Sequence, residues 1–244
     1  MLRRILKRRL SRGMRAALGQ VADEWRNQRV HRASARRAAA LTAHGPIRLN
    51  LGCGDKRKPG WVNVDLHAPD ADLRLDLREP LPFPDGSVEY IYCEHFFEHL
   101  DFPNVEDAMA TVLETPERPS EALSFLRECL RVLIPGGVLD VVVPDAERKI
   151  GMYVRRHEEP FPAGPDWWGP AWCDTPMHCI NYLFRQGREH KYAYDEETLA
   201  RVFRSVGFVD VRRRPSDPSL DAPSHAIGSL CMVGRKGAFG DPRR

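Results

Sequence analysis

The sequence predicts an α/β fold built on a parallel sheet. Short apolar segments bounded by turns recur from Ile47 onward, and a helical apolar period separates two of them. The composition, 42% hydrophobic and 29% charged, is that of an ordinary globular chain and excludes a rod, a collagen-like repeat or wholesale disorder. At 244 residues the chain has room for one large domain with extensions or for two small ones.

Residues 1–44 form a distinct arm with 12 Lys/Arg against Asp23 and Glu24. Of the overall net charge of +3, the arm therefore holds +10, leaving −7 on the other 200 residues. The acidic body argues against nucleic-acid binding outside the arm. Leu2, Leu6, Leu10, Met14 and Leu18 recur every four residues, flanked by Ile5, Val21 and Trp25, with Arg and Lys between them. This is the pattern of a basic amphipathic helix, which can pack on the body, dock on a partner protein, contact nucleic acid or lie on an anionic membrane surface. Residues 30–44 continue it to Gly45-Pro46.

No run reaches the roughly 20 apolar residues that span a bilayer, and the start lacks the 7–15-residue apolar stretch of a secretory signal. Six cysteines without a CxxC pair indicate neither a disulfide framework nor a structural zinc site, and no metal is expected. The expected location is the cytoplasm, with the arm able to hold the protein at the inner face of the membrane. The Arg-rich, acid-free first 22 residues equally fit a mitochondrial transit segment.

The expected strands are Ile47–Leu51, Trp61–Asp65, Leu73–Leu75, Tyr90–Cys93, Val138–Val143, Phe208–Arg212 and Gly228–Gly234. A helix carries Ala122, Phe125, Leu126, Cys129, Val132 and Leu133 and stops at Pro135-Gly136-Gly137; a second spans Glu196–Val206. Residues 101–119 are polar and weakly helical. Residues 146–194, rich in Pro and carrying Trp167, Trp168 and Trp172, form a connection long enough to serve as a lid or substrate pocket.

Leu49-Asn50-Leu51-Gly52-Cys53-Gly54 runs a strand into a Gly-x-Gly turn that lets backbone approach a ligand. It lacks the third glycine of the dinucleotide fingerprint, and Asp65 follows Gly54 by 11 residues rather than roughly 20. Asp65 and Asp76 each end a strand with a carboxylate able to accept hydrogen bonds from a ribose or an amine. Leu81-Pro82-Phe83-Pro84-Asp85-Gly86-Ser87 follows, then Glu94-His95, then Arg131-Val132-Leu133-Ile134-Pro135-Gly136-Gly137.

In that order these segments resemble the class I S-adenosylmethionine-dependent methyltransferases over about residues 47–145, with a fitting tail at Ala193–Leu199 and Gly207-Phe208. Pro59-Gly60-Trp61-Val62-Asn63-Val64-Asp65 is similar to a segment of small methyltransferases associated with surface-polysaccharide synthesis. The resemblance implies a Rossmann-like, seven-stranded, mostly parallel sheet with helices on both faces. The methyltransferase domain would span 45–236, with a lid at 146–194 and a tail at 237–244. It implies S-adenosylmethionine as cofactor. Leu51, Gly52, Cys53 and Gly54 would approach its methionine end, Asp65 and Leu66 its ribose, Asp76 and Leu77 its adenine, with Glu94 at the cleft. The loop after Gly54 is shorter than the usual first crossover helix.

Methyl transfer to an oxygen or nitrogen of a small molecule or glycan needs positioning and a base. Candidates are His95, with Glu94 beside it, and His178 and His190 in the lid. Asp145 either faces the cleft or caps a loop. His95-Phe96-Phe97-Glu98-His99 also matches the His-x-x-Glu-His zinc pattern, which on a helix would put His95 and His99 on one face. Zinc hydrolysis through that pair, and a membrane-tethered binding module without turnover, are the rival readings.

Overall fold

The computed structural model describes residues 10–43, 45–102, 120–158, 170 and 172–238, with Ala39 described by its backbone alone. Helix α1 (Arg12–Leu41) precedes strands β1 (Ile47–Leu51), β2 (Val62–Val64) and β3 (Val88–Glu94). Helix α2 (Glu121–Val132) leads into β4 (Leu133–Pro144), then α3 (Ala146–Val154), α4 (Pro176–Arg185), α5 (Glu196–Val206), β5 (Phe208–Arg214) and β6 (Ser229–Lys236). Leu2, Leu6, Trp167, Trp168 and residues 103–119 lie outside the described residues.

The strands form one sheet in the order β2-β1-β3-β4-β6-β5. The β1–β2, β1–β3 and β3–β4 pairs are parallel, and β6 runs antiparallel to both β4 and β5. Six strands replace the seven expected. Leu73–Leu75 makes only a single parallel bridge, Val64↔Leu73, because β2 is three residues long and offers little edge to pair with. The predicted stop at Pro135-Gly136-Gly137 is also corrected. The chain turns extended at Leu133, and these residues form an irregularity within β4, between the pairs Val88↔Leu133 and Tyr90↔Val138.

Each helix start has a sequence reason. Ser120, Asp145, Thr175 and Asp195 are N-caps whose side chains accept from the amide three residues on. Asp145 accepts from Arg148 and also pairs with Arg213, so it caps a helix rather than facing the cleft. Helix α2 buries Ala122, Phe125, Leu126, Cys129 and Val132, and α5 buries Leu199, Ala200, Val202 and Phe203, in one continuous core with the sheet.

Arg131 explains why two motifs so far apart in sequence occur together. Its guanidinium donates to the carbonyls of Leu81 and Phe83 and to Glu128 and Asp85, while Leu81 N donates to Glu128. The Leu81–Ser87 turn is thus fixed on the end of α2, at the sheet edge opposite the carboxyl ends of the parallel strands. Among the described residues no helix is long and apolar enough to cross a membrane.

Candidate functional site

The parallel strands β1, β2 and β3 end side by side, and a cavity of about 970 Å³ opens where their carboxyl ends meet. That size suits a small-molecule ligand. Gly52, Gly54, Asp65, Leu66, Asp76, Leu77, His95, Phe96 and His99 all line it. A smaller space of about 150 Å³ lies alongside, bordered by Asn50, Cys53, Lys56, Glu94, His95 and His225.

The glycine turn is built by a buried polar network. Asn50 Nδ2 donates to Asn63 Oδ1 and to Lys56 O, and Asn63 Oδ1 also accepts from Lys58 N. Asn63 in turn donates from its amide and side chain to Asp72, whose carboxylate lies below its usual range because those bonds outweigh the effect of burial. The amides of Gly52 and Cys53 both donate to Val64 O. This network does the holding that a first crossover helix would otherwise do. Gly52 (φ +67) and Gly54 (φ +50) occupy the left-handed region, and no atom lies within 4 Å of where a Cβ on Gly54 would stand.

Asp65 closes the turn. Its Oδ2 accepts from Gly54 N at 3.0 Å and its Oδ1 from His67 N and Ala68 N. Carboxylate oxygens offer about four acceptor positions, so these three bonds leave about one unused. Asp76 is buried and held bidentately by Arg78, which draws its carboxylate below the usual range against the effect of burial. Arg78 also reaches Glu24 of α1. The adenine role implied for Asp76 must therefore be shared with an arginine already bound to it. Leu51 is fully buried in the core behind the turn and does not line the cavity, since strand alternation turns its side chain away. Cys53 borders the smaller space, its thiol raised to about 11 by burial and by Asp65 and Asp72.

At the end of β3, Glu94 accepts from Ala222 N and lies 3.1 Å from His225 Nδ1. His95 leaves the strand at φ +52, a left-handed conformation uncommon for a residue with a side chain. Its ring lies 3.9 Å from that of His225, with Nε2 2.9 Å from Ser229 Oγ and Nδ1 3.2 Å from Glu98 Oε1. Burial, then the charge of His225, pushes its pKa well below the usual value, so the ring is neutral at physiological pH.

The His-x-x-Glu-His segment is not the continuous helix that a His95–His99 zinc pair would need. A single 3-10 turn spans Phe97–His99, and the left-handed His95 breaks any one-turn stacking of His95 on His99. His99 instead lies against His190, ring centroids 5.1 Å apart. His190 is buried beside Glu98, behind the cavity wall. His178 is not brought into the site. It is exposed on α4, holds Asp174 at 2.8 Å and stacks edgewise near Trp172, lining neither cavity.

The sequence did not reveal three contributors. His225 comes from a 3-10 turn far along the chain, and Glu24 and Asn27 reach the cavity wall because α1 docks on the segment after β2. There His31 Nδ1 accepts from Asp76 N and Ser34 Oγ from Arg74 N. No local pattern marks these residues, since only tertiary contact brings them in.

Residues 62–141 match the family model of a methyltransferase domain. No curated protein matches the sequence significantly. Among solved structures, the chain is similar to a possible histamine N-methyltransferase from Thermotoga maritima, at 14% identity and TM-score 0.42, covering 90% of this chain and 96% of that one. It is similar to the Burkholderia thailandensis 1,6-didemethyltoxoflavin-N1-methyltransferase with bound S-adenosylhomocysteine, at 16% identity and TM-score 0.43, covering 91% and 87%. It is also similar to the CurJ carbon methyltransferase, at 14% identity and TM-score 0.42; 80% of this chain is covered, and it spans 50% of that protein. Likeness this loose transfers no substrate.

Proposed function

We propose that this chain, an enzyme with a methyltransferase domain that takes its methyl group from S-adenosylmethionine, delivers it to an oxygen or nitrogen of a small-molecule or glycan acceptor held beside His95. The observation that carries the reading is the bond from Gly54 N to Asp65 Oδ2. It locks a left-handed glycine turn to an acceptor carboxylate at the open ends of parallel strands. A donor with a ribose diol and an amino-acid end fits such a cradle: Asp65 would accept from the ribose, Leu66 and Leu77 would flank the adenine, and the backbone at Gly52 and Gly54 would face the methionine end. The catalytic domain would run from 45 to 236.

When bound, the cofactor supplies an electrophilic methyl on a sulfonium. What this chain's residues would do is hold an acceptor in line with that methyl and take the proton the acceptor gives up. His95 is the candidate base, with Glu94 orienting the neighbouring His225. His95 Nε2 lies 2.9 Å from Ser229 Oγ, so the acceptor's proton would reach His95 through that hydroxyl, which gives up its own proton to Nε2 as it takes the acceptor's.

The test is transfer of labelled methyl from S-adenosylmethionine to a panel of hydroxyl- and amine-bearing sugars and small metabolites. The proposal expects turnover on at least one acceptor, with His95→Gln losing turnover while keeping cofactor affinity. A folded, cofactor-binding protein whose turnover is indifferent to His95→Gln would remove His95 as the base.

The arm supports a second role. Met14, Leu18, Val21 and Trp25 form an exposed apolar stripe at spacings of four, three and four residues, within a helix that also carries Arg12, Arg15, Arg26 and Arg29. A stripe of this kind beside cations is suited to the surface of an anionic membrane, where it would hold the enzyme near lipid-linked acceptors.

A further inference from the structure

Beneath the cavity wall, Glu98 is fully buried and neither of its carboxylate oxygens accepts a hydrogen bond, although His95 Nδ1 lies 3.2 Å from Oε1. Facing it at 3.9 Å is His190 Nε2, also buried and also without a hydrogen bond. A buried carboxylate left without donors is costly, because it has lost water and gained nothing in exchange. The usual remedy of a donor from the facing imidazole is closed off. His190 Nδ1 lies 2.6 Å from the carbonyl oxygen of Leu183, which can only accept, so Nδ1 donates there and Nε2 is the ring atom left facing Glu98 at 3.9 Å. Two groups able to ligate a metal thus face one another at 3.9 Å with no hydrogen bond between them.

A third donor completes the group. One ligand atom each from Glu98, His99 and His190 lie within 4.8 Å of one another, the one such trio among the described residues. The backbone holds them in place: Lys191 N and Tyr192 N both donate to Glu98 O, tying the lid's exit segment to the 3-10 turn that carries Glu98 and His99.

We propose that Glu98, His99 and His190 bind a divalent first-row transition metal ion, with Zn²⁺ as the type case. One carboxylate and two imidazoles form the donor set of three-ligand zinc sites that keep an open coordination position. Oxygen-seeking Ca²⁺ and Mg²⁺ are disfavoured by the two nitrogens. Zinc takes imidazole nitrogen and carboxylate oxygen at about 2.0–2.2 Å, so the three donors, within 4.8 Å of one another, must draw in to close on the ion. The bond from His190 Nδ1 to a backbone carbonyl is the outer contact that orients a metal-bound imidazole. His99 also lines the large cavity, so the open position faces the ligand space. Polarisation of an acceptor oxygen there would rest on the methyl-transfer reading; ion binding does not.

The experiment is metal analysis of the purified full-length protein after equilibrium dialysis against Zn²⁺, with a parallel arm in Mg²⁺, read by mass spectrometry of the metal content. The variants are Glu98→Gln, His190→Ala and, as a surface control, His157→Ala. The proposal expects one Zn²⁺ per chain, a rise in Tm with Zn²⁺ but not Mg²⁺, and at least a tenfold loss of affinity in Glu98→Gln and His190→Ala with none in His157→Ala. Circular dichroism identifies variants that remain folded. Should His190→Ala fail to fold, Glu98→Gln, which preserves shape, decides alone. A folded wild type that retains no Zn²⁺, or stoichiometric Zn²⁺ that survives Glu98→Gln, overturns the site. Cofactor titration of the same samples separates this outcome from failure of the methyltransferase reading.

Discussion

Gly52 and Phe96 approach so closely that a Cβ at position 52 would lie 2.6 Å from Phe96 Cβ. Phe96 sits directly after His95, so the glycine that opens the ligand turn and the strand end that carries the candidate base are in van der Waals contact. Gly52→Ala must then move Phe96 or the turn, in addition to about 1–3 kcal/mol of left-handed backbone strain. Gly54→Ala meets the same kind of strain but open space. The expected result is loss of S-adenosylmethionine affinity by more than tenfold for Gly52→Ala, with a smaller loss of Tm for Gly54→Ala, measured by calorimetric titration and thermal unfolding.

Arg214 links two buried acids: it donates to both oxygens of Asp140, which is fully buried, and to both oxygens of Asp221. Tyr90 and Tyr92 complete the pair, donating to Asp140 and Asp221. Arg214→Met removes the cation and leaves two carboxylates in low dielectric. Chemical denaturation should show a loss of about 3–5 kcal/mol, most of it regained in the double variant Arg214→Met with Asp140→Asn.

Lys149 is buried on α3, and that burial lowers its pKa from 10.5 to about 8. The unfolded chain therefore holds more protons than the folded one between about pH 8 and 10.5. The penalty, about 3 kcal/mol, is complete below pH 8 and disappears as pH rises through that window. Lys149→Met should be the more stable protein at pH 7, and its advantage over wild type should shrink to near zero by pH 10.5. Taking the difference between the two proteins cancels the opposing titration of buried cysteines and tyrosines. A pH-independent difference in denaturation free energy would contradict the argument.

The exposed stripe on α1 makes Trp25 a reporter. Anionic vesicles should blue-shift its emission at low salt, neutral vesicles should not, and salt should reverse the shift as screening grows. Leu18→Glu, on an exposed position that leaves the body untouched, should abolish the effect. An unchanged spectrum with anionic lipid would return the stripe to a protein partner.

The strands and helices were legible where period and burial agree, as in β1, β3 and the apolar face of α2. The misreadings have particular causes. Pro135-Gly136-Gly137 carries stop chemistry, yet β4 pairs with β3 at Leu133 before it and at Val138 after it, so the strand runs on with these residues as an irregularity. Leu73–Leu75 has the texture of a strand but a neighbour too short to pair with. Gly52, Gly54, Asp65 and Asp76, which line the large cavity, could be found because strand ends and glycines mark them locally. His178 and His190 were indistinguishable as lid histidines, and only the fold separates the exposed one from the buried one. Helical spacing would put His99 on one face with His95, whereas the left-handed backbone at His95 leaves His99 beside Glu98 and His190.

The central claim, that the Gly52–Gly54 turn and Asp65 hold S-adenosylmethionine, is tested most directly by calorimetric titration of the wild type and Asp65→Asn with S-adenosylmethionine and S-adenosylhomocysteine. Asparagine is the informative replacement, because Asp65 also accepts from Gly54, His67 and Ala68 and an alanine would release the turn itself. The account predicts saturable one-to-one binding of both ligands to the wild type and affinity at least tenfold weaker in the folded variant. Wild-type protein that is folded yet binds neither ligand, or a variant that binds both unchanged, would contradict it.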